Sequence, residues 1–189
     1  MVKYCYEYLR DKTKIPVDCT EFQCNNILTE LPELPSSLLK LWCHDNILTK
    51  LPKLPKSLIH LSCSNNNLTL LPKLPKSLLD LWCGYNNLTS LPKLPNSLDT
   101  LWCHNNKLSE LPELPQSLTH LQCDYNNLTE LPELPNSIEG LCCSNNNIKY
   151  LSPNNCEVMK NFCEFDVLNN PFSANFTEND DFKEYLMSL

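Results

Sequence analysis

Apolar and polar residues alternate in this chain only in short bursts, and the bursts return every 20 residues. In Leu38-Leu39-Lys40-Leu41-Trp42-Cys43-His44 the period is two around Leu41 and Cys43. Leu41 and Cys43 face one way and Lys40, Trp42 and His44 the other, which predicts a short strand. The frame Leu-x-Cys-x-x-Asn-x-Leu/Ile begins again at Leu61, Leu81, Leu101, Leu121 and Leu141. Between the strands, Leu-Pro-x-Leu-Pro begins at Leu31, Leu51, Leu71, Leu91, Leu111 and Leu131, and a Ser follows each block. Pro52 and Pro55 cannot both lie inside a helix, so the return path is extended or polyproline-like.

Within the frame, Leu41, Cys43, Leu48, Leu51, Leu54 and Leu58 turn inward. Asn46 and its equivalents Asn66, Asn86, Asn106, Asn126 and Asn146 carry an amide that can bond backbone groups in its own turn and in the neighbouring repeat. One such coil cannot bury enough apolar surface to order itself, so the coils stack, with parallel strands about 4.8 Å apart. The expected architecture is a solenoid, a curved rod. Phe22, Cys24, Asn26 and Leu28 form a first repeat one residue short. At the other end Val158, Asn161, Cys163, Asp166 and Leu168 continue the spacing, with Asn161 where Leu is expected and Cys163 closing the buried cysteine column.

The expected organisation is an N-terminal cap over 1–19, a repeat array over 20–168 with six clear and two degenerate copies, and a C-terminal cap helix over 169–189. Tyr4, Tyr8 and Leu9 have helical spacing. After Pro171, Thr177-Glu178-Asn179-Asp180-Asp181-Phe182 reads as a capped helix start, with Phe182, Tyr185, Leu186 and Leu189 as its apolar stripe.

The pattern Leu-x-x-Leu-x-Leu-x-x-Asn-x-Leu, here with Cys at the second strand leucine, resembles the leucine-rich-repeat signature. The 20-residue length and the LPxLPxS half are similar to the bacterial-type repeats of secreted effectors from enteric pathogens. Similar Cys-bearing repeats occur in proteins of giant amoeba viruses and amoeba-associated bacteria. The resemblance implies a leucine-rich-repeat solenoid with helical caps that acts as a non-enzymatic protein-protein interaction module, as a host-directed effector or a viral protein. Such effectors often carry a separate ubiquitin-ligase domain with a catalytic cysteine. Only about 20 residues follow the array, so that activity is not expected here.

Twelve cysteines raise the question of disulfides or metal. The inward ones behave as small hydrophobes. In an in-register stack their Cβ vectors run parallel, which places the sulfurs poorly for bonding. There is no Cys-x-x-Cys pair for zinc, and neither a metal nor a cofactor is expected.

The residues between the inward positions project from the concave face. One column holds Lys40, His60, Asp80, Thr100, His120 and Gly140. The next holds Trp42, Ser62, Trp82, Trp102, Gln122, Cys142 and Phe162. A third holds His44, Ser64, Gly84, His104, Asp124, Ser144 and Glu164, and the position after it adds Asp45, Tyr85, Tyr125 and Phe165. Outward tryptophan has no folding reason to recur three times, and Trp and Tyr are typical interface anchors. The candidate partner-binding residues are Trp42, Trp82, Trp102, His60, His104, His120, Asp80, Asp124, Tyr85 and Tyr125. Trp82 and Trp102 should stack, and His60–Asp80 and His104–Asp124 are lateral neighbours that could link binding to pH. Cys142 is the one outward thiol, with His120 diagonal to it. Nothing in the sequence supplies an oxyanion hole or a deep pocket, so no enzyme is expected.

The net charge of −7 argues against nucleic acid or an anionic membrane as partner. No run of 18 apolar residues predicts a membrane span. The start MVKYCYEYLRDK lacks a signal-peptide core, so a cytoplasmic site of action, in its own cell or a host's, is expected. On the return side Lys50, Lys53, Lys56, Lys73, Lys76 and Lys93 are flanked by Glu30, Glu33, Glu110, Glu113, Glu130 and Glu133. The pattern suits a solvated face. Its alternative is weak antiparallel self-association, as in a structural or scaffold protein.

Overall fold

The protein is described by a computed structural model over residues 3–5, 15–24, 28–161 and 164–188. Among the described residues, nine three-residue strands pair in chain order into one parallel sheet. They are β1 (Lys3–Cys5), β2 (Glu21–Gln23), β3 (Lys40–Trp42), β4 (His60–Ser62), β5 (Asp80–Trp82), β6 (Thr100–Trp102), β7 (His120–Gln122), β8 (Gly140–Cys142) and β9 (Glu164–Asp166). The register is in phase: Leu41 faces Leu61, Leu61 faces Leu81, and so on to Leu141. Like therefore stacks on like, and each coil buries the same set against the next. Leu41, Cys43, Leu48, Leu51, Leu54 and Leu58 are all in the core, as are their equivalents except Leu34 and Leu91, which pack partly buried against it. The return path is extended and closes in a turn, with Leu58 N–H donating to Pro55 carbonyl at 3.2 Å.

The asparagine ladder runs the length of the array. Asn66 Oδ1 accepts from Leu48 N–H at 2.9 Å, and its Nδ2 donates to the Cys43 and Cys63 carbonyls at 2.9 and 3.1 Å. A second ladder, on the return side, uses the Ser after each LPxLP block. Ser77 Oγ lies 2.8 and 2.7 Å from the Lys56 and Leu58 carbonyls, and Ser57, Ser97 and Ser117 repeat the contact pair. Each hydroxyl thereby ties its coil to the preceding one. The thiols of Cys43, Cys63, Cys83, Cys103, Cys123 and Cys143 are free and fully buried.

Two end regions depart from the sequence reading. At the C-terminal end, Ser152 caps α1 (Pro153–Met159), with its side chain accepting from Asn155 N–H at 3.1 Å. That helix lengthens the coil, so Phe165 rather than Asn161 faces Leu141. Val167, fully buried, replaces Cys163 in the cysteine column. Asn170 replaces Asp166 in the ladder, accepting from Ile148 N–H at 3.1 Å and donating to the Cys143 carbonyl at 2.9 Å. The reason is chemical: the ladder position must donate as well as accept, and a carboxylate cannot donate. Glu164 accordingly falls beside Gly140 in the first column, and Phe165 turns toward the core instead of outward. Phe162 and Cys163 lie outside the described residues.

At the N-terminal end, Lys3–Cys5 is a strand beside β2, although the spacing of Tyr4 with Tyr8 predicts a helix there. An added strand satisfies the hydrogen-bonding edge that a helix would leave open. Tyr8, Leu9, Asn26 and Leu189 lie outside the described residues. At the other terminus α2 (Asn179–Ser188) starts two residues after Thr177, with Asp180 and Asp181 in its first turn. Phe182 and Leu186 seal the core, and Phe182 meets Phe165, Phe172 and Phe176 edge-on.

Candidate partner-binding face

The outward sides of β3 to β6 carry a continuous row of rings. Trp82 and Trp102 occupy facing positions in register and stack at 4.8 Å with planes 14° apart. Trp42 lies two strands from Trp82, yet their rings meet at 5.5 Å. The residue between them is Ser62, and it is small enough for both indoles to lean over it. Ser62 is consequently only 3% exposed. His60, on β4, also stacks with Trp42, at 6.5 Å and 12°. The indoles thus keep one another half-buried while an edge of each stays in water. They are neither sealed in the core nor isolated on the surface.

The predicted histidine pairs behave differently. His60 Nδ1 contacts Asp80 Oδ2 directly. His104 does not bond Asp124. Its ring lies over Gly84, where an added Cβ would come within 2.7 Å of it, and meets Tyr85 edge-on at 5.2 Å. Burial raises the Asp124 carboxyl above its ordinary value, and the nearby His104 pulls it partly back. His120 sits apart from the tryptophan row, over Gly140, with Nδ1 2.8 Å from Thr119 Oγ1. Both glycines of the chain therefore lie under a histidine ring. Neither has a positive φ. They are seats for imidazoles rather than turn residues.

The residues that do need a left-handed backbone precede the ladder asparagine: Asp45, Asn65, Tyr85, Asn105, Tyr125, Asn145 and Asn169, with φ from 51 to 57°. Asn and Asp adopt this conformation readily, whereas bulky side chains are strained in it. Tyr85 and Tyr125 are the exceptions, and both project into solvent, 56 and 54% exposed. Such strain concentrates at functional positions. Tyr125→Asn is expected to raise stability by about 1 kcal/mol in urea unfolding. A loss of stability would show that the ring packs usefully.

A concavity of about 590 Å³ opens beside the tryptophans, lined by His44, Asp45, Ser62, Ser64, Asn65, Trp82, Tyr85, Trp102 and His104. His44, Asp45, Ser62, Ser64 and Asn65 were not among the candidates. Their signal was present: two serines in the outward columns of β4 and its turn, between tryptophan-bearing strands, leave a gap. Among the described residues, no group of three or more His, Cys, Asp or Glu side chains could hold a metal ion.

No family model matches the chain, and comparison with curated proteins gives no relative. Solved structures do match. YopM, a leucine-rich effector protein from Yersinia pestis, has a TM-score of 0.76 and 38% identity, over 83% of this chain and 45% of that one. The leucine-rich-repeat domain of a Shigella effector has a TM-score of 0.78 and 32% identity, over 90% and 77%. The functional domain of InlJ from Listeria monocytogenes, which includes a cysteine ladder, gives 0.59 and 25%, over 80% and 40%. The chain spans less than half of the YopM and InlJ structures. With the Asn ladder, the in-phase parallel strands and 32% identity across most of the Shigella domain, the chain belongs to the leucine-rich-repeat family, in its bacterial-effector type.

Proposed function

We propose that this protein is a non-enzymatic binding module whose concave face captures a protein or peptide, as a host-directed effector or a viral protein acting in the cytoplasm. The array over 20–168 is the working part, and 1–19 and 169–189 are its caps. The observation that carries the reading is the ring row His60–Trp42–Trp82–Trp102. Rings packed side by side are rigid, so little side-chain entropy is lost when a partner lands on them. Tyr85 and Tyr125, retained in a strained backbone, add exposed aromatic area on the same rim. The effector neighbours support a protein partner over a small molecule.

The test is Trp82→Ala with Trp102→Ala in the full chain, assayed against a partner isolated on the wild type. Affinity is expected to fall by roughly 30-fold or more, as for hot-spot aromatics. Stability should drop by about 1–2 kcal/mol, less than for a core ring. Trp102→Phe, which preserves the packing, should bind at an intermediate level. Undiminished binding by the double variant would end this reading.

The exposed return-side lysines favour a second reading, self-association. Lys50, Lys53, Lys56, Lys73, Lys76 and Lys93 form no ion pair among the described residues. Concentration-dependent oligomers in sizing chromatography that dissolve at high salt would support it.

A further inference from the structure

We propose that the concavity beside the tryptophan row receives an arginine side chain of the partner, its guanidinium flat against an indole and directed at Asp45. The inference rests on the concave-face reading above and specifies what that face takes.

The first support is charge. In the outward strand positions and the two turn positions that follow them, the described carboxylates are Glu21, Asp45, Asp80, Asp124 and Asp166. Among the side chains described there the one ammonium is Lys40, and it is already bridged to Glu21 at 2.9 Å. A rigid aromatic platform ringed by carboxylates selects a cation, because the ring face is the negative end of its quadrupole. Asp45 lines the cavity and is largely exposed; Asn65 Nδ2 donates to its Oδ1 at 2.7 Å, and its Oδ2 has only the longer contact with His44 Nε2 at 3.9 Å.

The second support is two polar atoms without hydrogen-bond partners. Trp82 Nε1 and His104 Nδ1 are both buried and unsatisfied among the described residues, and both side chains line the same cavity. Such atoms are costly to leave unmet. A bound arginine residue can meet both after a small ring movement: its guanidinium donates to His104 Nδ1, and its backbone carbonyl accepts from Trp82 Nε1.

Arginine fits better than lysine. Its planar, weakly hydrated head stacks on an indole and still offers donors at its edge, whereas an ammonium holds its water. The floor of Ser62 and Ser64 gives room for the planar group between His44 and His104.

All three tryptophans of the chain lie in this row, so their fluorescence reports this face alone. The probes are three blocked pentapeptides, Gly-Gly-X-Gly-Gly, with X as arginine, lysine or citrulline, the last isosteric with arginine but neutral. The full chain should show a saturable emission change with arginine, binding it roughly tenfold more tightly than citrulline. Lysine should fall between. Asp45→Asn should weaken arginine binding about fivefold and leave citrulline unchanged. Gly84→Ala, which displaces the His104 ring, should also weaken it. Equal binding of arginine and citrulline, or no saturable change with arginine, overturns the proposal. A partner that is lost with the tryptophan double variant but indifferent to Asp45→Asn sinks only the arginine assignment. A partner retained by the double variant sinks the concave-face reading itself.

Discussion

Raising the pH from 8 to 10 is expected to unfold this protein, although its described core cysteines are free thiols with no disulfide to lose. The cause is the cysteine column. Cys24 and Cys63 are pushed by burial from an ordinary 9.0 up to about 12. Burial also raises Cys43, Cys83, Cys103, Cys123 and Cys143, and neighbouring thiols or Asp residues add to most of them. The folded state therefore holds these protons when the unfolded chain has released them. A group whose folded pKa is raised stabilises the fold fully below the unfolded value, and that stability is lost as the pH climbs through the folded one. The window opens near pH 9 and extends to about 12 for Cys24 and Cys63.

At pH 10 each thiol withdraws about 1.4 kcal/mol, and seven of them together about 10 kcal/mol. That is comparable with the whole stability of a typical domain, about 5–15 kcal/mol. Urea unfolding at pH 7.5, 9 and 10 measures it. Replacing Cys83 and Cys103 by Ala should cost stability at pH 7.5 but reduce the pH slope by two protons. A midpoint that stays flat to pH 10 would mean that the column is hydrated. By the same logic, a reductant should leave the neutral-pH midpoint unchanged.

Asn86→Ala is expected to cost about 3–6 kcal/mol, more than most leucine truncations in the same core. Leu68 N–H donates to Asn86 Oδ1 at 3.0 Å, while Nδ2 donates to the Cys63, Cys83 and Gly84 carbonyls at 3.0, 3.1 and 3.2 Å. Alanine leaves the amide hydrogen of Leu68 buried without a partner, reduces the Cys63 carbonyl to its single bond from Asn66 Nδ2, and water cannot easily follow. Asn86→Asp separates the two halves of the job. Its carboxylate can accept from Leu68 N–H but faces three carbonyl oxygens that previously received protons. Its pKa must rise, so this variant should be more stable at pH 5 than at pH 8, the reverse of an ion-paired acid. A cost under about 1 kcal/mol for Asn86→Ala would show that the backbone closes the gap by itself.

The ladder, the leucine core and the thiol column were legible in the sequence because stacking places residue i against i+20. A pattern along the chain is then also a pattern in space. The terminal repeat was misread because α1 breaks that equivalence. Its residues were still readable as Phe165-Asp166-Val167-Leu168-Asn169-Asn170, a copy of Leu-x-Cys-x-x-Asn shifted by the inserted helix. The serine ladder was visible as a recurrence, but its purpose depends on which carbonyls the next coil leaves open.

At the site, register foretold that Trp82 would lie on Trp102, and the two rings stack. It could not foretell that Trp42 would cross a strand to join them, or that His104 would turn to Gly84 rather than to Asp124. Those choices depend on free space next to each ring. Space is created by the small residues, Ser62 and Gly84, of other repeats.

Within the six in-phase repeats the sequence alone determined the coil, its stacking direction and which face each residue takes, because a strict 20-residue period leaves one in-phase way to bury leucine and cysteine together. Only the tertiary structure decided how the outward side chains share the face they were given. Their rotamers answer to neighbours that lie 20 or 40 residues away in the chain and within about 10 Å in space, and no local pattern encodes that competition for volume.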